Sequence, residues 1–279
     1  MPNPDPAGDF ARFPTGYILD RSHLAACRLN LQHFLWGETF RFTIHPSITL
    51  PAKPAIADVA CGTGLWLIDA AAQHPEARLH GFDIDLSQAP HPSWLPPNVK
   101  LSEWNIFDDI PDEWIGKFDL VHVRLLLLVF SGIDPKPFIE KLYRLLRPGG
   151  YLQWDELDCV NMHVRKIDRN IAAPALEGLR TMCYAEGRHD WVLQLRDMLS
   201  SAGFEAAALE KYGDNPTLAR AYNDLHLHTM EEIATRLLQM RKEDEAAHVF
   251  GLIREGYGEA VNGAALCLPR IVCVARKPS

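Results

Sequence analysis

Short apolar runs and segments of helical period take turns along the first half of the chain. Residues 55–60, the run ending at Asp83, residues 99–104, residues 118–124 and residues 151–156 read as strands. Leu65 to Ala72 follows the first of them with a helical pattern. A second helix opens at Asp134-Pro135 and closes at Arg147-Pro148-Gly149-Gly150. Strands alternating with helices predict a parallel sheet covered on both faces, with ligands beyond the carboxyl ends of its strands. Asp83, Asn105, Arg124 and Glu156 all fall at that edge.

The flanking segments follow other rules. Residues 1–14 hold four prolines and read as a mobile tail. Asp20 could cap a helix with Leu24, Cys27, Leu31 and Phe34 or Leu35 on its apolar face and Gly37 as its stop. Asn30 and His33 on this helix read as polar-face or satisfied core residues, with coverage of a pocket as the other reading. After Glu156 the polarity is mixed to about residue 190. A helix over 191–201 then stops at Gly203, and a strand spans 204–209. Residues 217–239 carry a helical stripe of Leu218, Tyr222, Leu225, Ile233 and Leu237, before a last strand over 271–275. The chain therefore divides into a tail (1–14) and one domain (15–279). Within the domain lie a helical cap (15–50), a cofactor-binding core (51–156) and two insertions (157–190 and 211–262) that shape and cover a substrate pocket.

Composition narrows the function. At 279 residues, 47% hydrophobic and 23% charged, the chain can bury a substantial core. A net charge of −8 and a pI near 5.8 give no support for nucleic-acid binding through a basic surface. Cysteines 27, 61, 159, 183, 267 and 273 form no CxxC pair, so neither a zinc cage nor a disulfide framework is expected. His226 and His228 are two apart and point to different faces of a helix, so no metal is assigned. No apolar run reaches the roughly 18 residues of a membrane span, and no basic-apolar leader opens the sequence. The expectation is a cytoplasmic protein, with a nuclear location the alternative, that meets neither nucleic acid nor membrane; its oligomeric state is left open.

The chemistry centres on Ala57-Asp58-Val59-Ala60-Cys61-Gly62-Thr63-Gly64, a strand running into two glycines and then a helix. Glycine at 62 and 64 lets a ligand approach the main chain, and free N–H groups at the helix start can meet it. Nineteen residues past Gly64, Asp83 is placed to accept hydrogen bonds from ribose hydroxyls. A dinucleotide fingerprint would need a third glycine where Leu67 stands, and a P-loop would need Lys where Leu65 stands. NAD, FAD and ATP hydrolysis are therefore disfavoured.

Asp58-Val59-Ala60-Cys61-Gly62-Thr63-Gly64, Gly81-Phe82-Asp83, Phe118-Asp119-Leu120-Val121 and Leu146-Arg147-Pro148-Gly149-Gly150 together resemble the class I S-adenosylmethionine-dependent methyltransferases. Arg28-Leu29-Asn30-Leu31-Gln32-His33, Trp94-Leu95-Pro96-Pro97-Asn98 and the segment from Gly150 to Asp158 resemble fungal secondary-metabolism methyltransferases, the gliotoxin-pathway N-methyltransferase among them. The resemblance covers about residues 15–160. It implies an α/β, Rossmann-like, seven-stranded sheet, mostly parallel, whose last strand is antiparallel. It implies S-adenosyl-L-methionine as cofactor, with Asp58 and the backbone from Ala60 to Gly64 around its methionine part, Asp83 and Ile84 at the ribose, and Asn105 and Ile106 at the adenine. Many relatives carry Asp where Asn105 stands. Val123 and Arg124 would lie near the transferable methyl, with Trp154, Asp155 and Glu156 towards the acceptor. His122 and Glu156 are the candidate bases. Asp155 and Glu156 alternate along a strand, so only one can face a pocket, and Glu156 is preferred. The implied reaction is methyl transfer to a small-molecule natural product, at nitrogen. The alternatives are an O-methyltransferase of the same fold, or a protein that keeps the cofactor site as a regulator or a rearrangement catalyst.

Overall fold

The computed structural model describes residues 18–213 and 215–279; the tail expected over 1–14 lies outside them. Its sheet has the order β3-β2-β1-β4-β5-β9-β7, from β1 (Ala55–Val59), β2 (Arg78–Asp83), β3 (Val99–Glu103), β4 (Phe118–Arg124), β5 (Leu146–Leu157), β7 (Glu205–Tyr212) and β9 (Arg270–Arg276). All neighbours are parallel except β9, which runs antiparallel to both β5 and β7. This is the expected seven-stranded sheet with its last strand reversed. β1 is buried at every position and β4 at all but its last, as strands covered on both faces must be.

Helices α2 (Leu65–Gln73), α3 (Lys136–Leu145) and α5 (Leu195–Ser201) cover the two faces. Under α2, Trp66 and Leu67 pack with Leu79 and Leu120. On the other face Leu142 and Leu199 pack with Val123 and Trp154. Gly81 on β2 makes the first packing possible, because a Cβ there would lie 2.5 Å from Leu67 Cδ1 and 2.5 Å from Leu101 Cδ2. The glycine absent from the helix at Leu67 thus has its counterpart on the facing strand.

The N-terminal helix α1 (His23–Phe40) departs from expectation in three ways. Its N-cap is Ser22, whose Oγ accepts from the Ala25 N–H (3.3 Å), while Asp20 bonds only the adjacent Arg21 N–H. It runs through Gly37, because buried Trp36 and Phe40, four apart, continue the inward face. Of the expected stripe, Leu24, Cys27, Leu31 and Phe34 face solvent, and only its alternative last member, Leu35, is buried, on a face shared with Ala25 and Arg28. Arg28 is tolerated there because Glu232 meets it, with Nε donating to Oε1 at 2.6 Å.

Beyond β5 the chain builds a second, smaller unit: α4 (Pro174–Tyr184), α6 (Ala219–Gln239), α7 (Glu243–Val261) and a two-stranded sheet of β6 (His163–Lys166) and β8 (Ala264–Cys267). Leu176, Leu227, Met230, Val249 and Leu266 form its core. Neither strand of that ribbon nor α4 was expected from sequence. The helix expected over 191–201 begins as a 3-10 turn over Asp190–Gln194, and the strand expected over 204–209 extends to Tyr212.

Candidate active site

A cavity of about 800 Å³ opens beyond the carboxyl ends of the central strands. Its walls come from the glycine turn, the ends of β2 and β4, helix α1, and the inward faces of α4 and α6. At the turn, Ala60, Gly62 and Gly64 have φ of 60, 54 and 71°. Glycine adopts such angles freely; Ala60 adopts them against its Cβ, a local strain at the mouth of the site. A Cβ on Gly62 would meet only Leu29 Cδ1, at 3.6 Å, so backbone angle rather than space holds glycine there.

Asp83 ends β2 with Oδ2 accepting from the Gly62 N–H (2.8 Å) and Oδ1 from the Asp85 N–H (3.2 Å). Burial raises its pKa against these bonds and the more distant Arg21. A carboxylate has about four acceptor positions, so Asp83 keeps capacity for ligand hydroxyls. Ile84, Asn105 and Ile106 line the cavity beside it. Asn105 Oδ1 accepts from the Phe107 N–H (3.0 Å), and Lys141 Nζ donates to the carbonyls of Ile106, Phe107 and Asp108 at 3.0, 2.7 and 2.7 Å. Sequence reasoning missed Lys141, whose amphipathic helix gave no sign that its ammonium ties down this loop.

The sheet edge carries a buried polar chain. His122 Nδ1 lies 2.7 Å from Asp58 Oδ1, and its Nε2 lies 3.0 Å from Asp155 Oδ2. Arg124 donates to the same Asp155 oxygen from Nη2 (2.7 Å) and Nε (3.1 Å), and Gln153 Nε2 donates to Oδ1 (3.1 Å). The Trp66 ring stacks on His122 with centroids 3.9 Å apart and planes 2° off parallel. Burial pushes the His122 pKa down, but Asp58 and Asp155 together outweigh it and raise the value above the ordinary 6.5. Burial likewise pushes Asp155 up, and Arg124 and His122 overcome it to hold Asp155 low.

Several expected site residues are placed differently. His122 borders the cavity, but both its nitrogens face carboxylates, so it has no free lone pair for an acceptor's proton. Glu156 is fully buried and does not line the cavity. Its Oε2 accepts from the N–H groups of Leu126 (2.8 Å) and Leu127 (3.1 Å), and Oε1 from Leu157 (3.1 Å). It anchors the loop after β4, and burial raises its pKa to about 8. Asp155 points to the His122 side and Trp154 into the core, so neither lines the cavity. Val123 is likewise enclosed in the core. Strand alternation gives each side chain its face, but the cavity lies past the strand ends and not on either face. Asp58, Ala60, Gly62, Asp83, Ile84, Asn105, Ile106, His122 and Arg124 do come together around it, with Gly64 closing the turn. His33, on α1, lines it too and bonds Asp69 Oδ2 at 2.8 Å. Among the described residues no cluster of three or more His, Cys, Asp or Glu is placed to hold a metal ion. No described helix is long and apolar enough to cross a membrane.

Residues 57–152, the strands and turn that build this site, match the family model described as a methyltransferase domain. Curated relatives sharpen the likeness. The chain is 40% identical over 154 residues to the methyltransferase grgD of a Penicillium species, covering 51% of this chain and 52% of that protein. It is 31% identical to the N-methyltransferase verN of Clonostachys rogersoniana (49% and 48% covered) and 31% identical to the N-methyltransferase gliN of Aspergillus fumigatus (50% and 50%). The chain thus spans about half the length of the curated relatives it matches. Among solved structures, Haemonchus contortus phosphoethanolamine N-methyltransferase 2 in complex with S-adenosyl-L-methionine superposes with TM-score 0.52 at 15% identity, over 97% of this chain and 60% of that one. A chain of the Haloferax volcanii complex between the Trm112 methyltransferase activator and a methyltransferase gives 0.52 at 14%, over 91% and 96%. These two share the Rossmann-like fold described above.

Proposed function

We propose that the protein is an S-adenosyl-L-methionine-dependent methyltransferase acting on a small-molecule natural product, at nitrogen, in secondary metabolism. The observation that carries this reading is the Asp83–Gly62 pairing at the mouth of a cavity large enough to continue from the sheet edge to the underside of α6. The residues fit the cofactor. Asp83 has acceptor capacity for two hydroxyls, Asn105 and Ile106 lie beyond it, and Ala60, Gly62 and Gly64 expose backbone on the other side. When bound, the cofactor supplies a methyl already activated by a sulfonium, so the protein's task is to hold the acceptor in line and to exclude water. Asp58, His122, Asp155 and Arg124 form a rigid floor for that alignment. His122 positions the two carboxylates, and Glu156 positions the loop that follows β4. Nitrogen as the acceptor atom is supported by the names of the two fungal N-methyltransferases, and secondary metabolism as the setting by the resemblance carried by the sequence strings quoted above.

Calorimetry with S-adenosylhomocysteine tests the reading. The parent should bind without added metal, and Asp83→Ala should bind about tenfold to a hundredfold more weakly, the worth of hydrogen bonds to a charged group. Equal affinity would remove Asp83 from the site, and absence of binding by the parent would end the proposal. A gain of one methyl in a natural-product acceptor, with S-adenosylhomocysteine formed in proportion, identifies the reaction.

A further inference from the structure

The part of the cavity under the second unit has its own chemistry. Met182 and Cys183 from α4, and Leu225, His226, Thr229, Met230 and Ile233 from α6, line it. Neither helix brings a carboxylate to the cavity. The acids that do line it lie elsewhere: Asp20 ahead of α1, Asp58 against His122, Asp83 at the glycine turn, and Glu245 paired with Lys242 at 3.1 Å. An ammonium group lodged between α4 and α6 would lack a counter-charge, whereas a neutral N–H or O–H would find His226.

One tautomer of His226 leaves a ring nitrogen free to accept. Cys183 Sγ lies 3.5 Å from Met230 Sδ, which can only accept, and 3.2 Å from His226 Nε2. With the thiol hydrogen on the thioether, Nε2–H donates to Sγ and the lone pair is left on Nδ1, which has no partner among the described residues and is not closed off from the cavity. Burial pushes the imidazole down to about 4 and the Cys183 thiol up to about 12, so both stay neutral around pH 7. His226 thus differs from His122, whose two nitrogens are both committed to carboxylates.

Resting on the methyltransferase reading, we propose that His226, oriented by Cys183, receives the acceptor's N–H or O–H at Nδ1 and takes its proton during transfer, so that the acceptor is a neutral group and not an ammonium. As the acceptor's lone pair bonds the methyl carbon, the pair of the broken C–S bond stays on sulfur. The acceptor's proton passes to Nδ1, and the imidazolium, unfavourable in this buried place, releases it to water when product leaves.

The test uses full-length protein saturated with S-adenosylhomocysteine and titrated with indole, 1-methylindole and benzylamine as probes. In the parent, benzylamine should bind more weakly than indole. The ratio of indole to 1-methylindole affinity should fall about threefold to tenfold in His226→Phe, the worth of one neutral hydrogen bond. His226→Gln, which restores an acceptor atom, should keep more of that ratio than His226→Phe and guards against a variant that fails to fold. An unchanged ratio, benzylamine binding as tightly as indole, or no binding of indole by cofactor-saturated parent would overturn the assignment. Failure to bind S-adenosylhomocysteine at all would instead overturn the methyltransferase reading on which it stands.

Discussion

Glu156 and His122 sit near the ends of neighbouring strands, and in each the surroundings decide the charge. Three backbone N–H groups meet the Glu156 carboxyl, yet burial dominates and raises its pKa to about 8 from an ordinary 4.5. A folded-state pKa above the unfolded one means that the folded protein holds a proton which the unfolded chain gives up as pH rises. The stabilisation is complete below about 4.5 and is lost as pH rises to about 8, at about 1.4 kcal/mol per pH unit across that window. Glu156→Gln keeps an oxygen for the Leu126 and Leu127 N–H groups and cannot ionise. Denaturant unfolding of parent and variant between pH 5 and pH 8 should therefore show the parent losing stability relative to Glu156→Gln. Parallel curves would mean that Glu156 is ionised in the folded state. Sequence placed this residue at the carboxyl end of its strand but could not give its role. A carboxylate that holds a loop and one that touches an acceptor occupy the same strand position, and only the direction of the next turn separates them.

At the scale of elements, α1 and α6 are clasped over the cavity. Arg28 and Glu232 form a buried ion pair, and Tyr222 Oη donates to the Leu35 carbonyl about two turns further along α1. Arg28→Met should cost about 3–5 kcal/mol, because it leaves the Glu232 carboxylate buried without a partner. Pairing it with Glu232→Leu should recover most of the loss, and equilibrium unfolding of the three proteins measures both. If the single variant is as stable as the parent, the pair does not hold the helices together. The same clasp explains why α1 was legible as a helix but not in its orientation. Helical period finds the apolar stripe of Leu24, Leu31 and Phe34 and assumes that it is buried. Here the inward side roofs a ligand cavity, so it carries Arg28, Gln32 and His33, and the stripe is left outside. The core strands did not suffer this reversal, because strands buried on both faces leave no face to misassign. β6 and β8 escaped notice for the opposite reason: four-residue strands whose partners lie about a hundred residues apart leave almost no local signal.

For the whole molecule, the division of labour follows the chain. In the proposed function, the sheet edge from β1 to β4 supplies a fixed cofactor floor through backbone amides and Asp83. The segments after β5 supply the wall against which an acceptor would lie. The wall has its own core, in which Leu227, Met230 and Leu266 pack together. Within the segment 211–262, α6 faces the cavity along most of its length, while α7 reaches it only near its start, through Glu245 and the preceding Lys242. If this segment gates the pocket, occupancy should quiet the two helices unequally. Amide hydrogen exchange in α6 and α1 should slow when S-adenosylhomocysteine and indole are both bound, while the outer turns of α7 change little and the strands of the floor respond to the nucleoside alone. Slowing confined to β1, β2 and the glycine turn, with α6 unchanged under both ligands, would make α6 a fixed wall, and the acceptor would then reach the methyl by another route than the opening of this clasp.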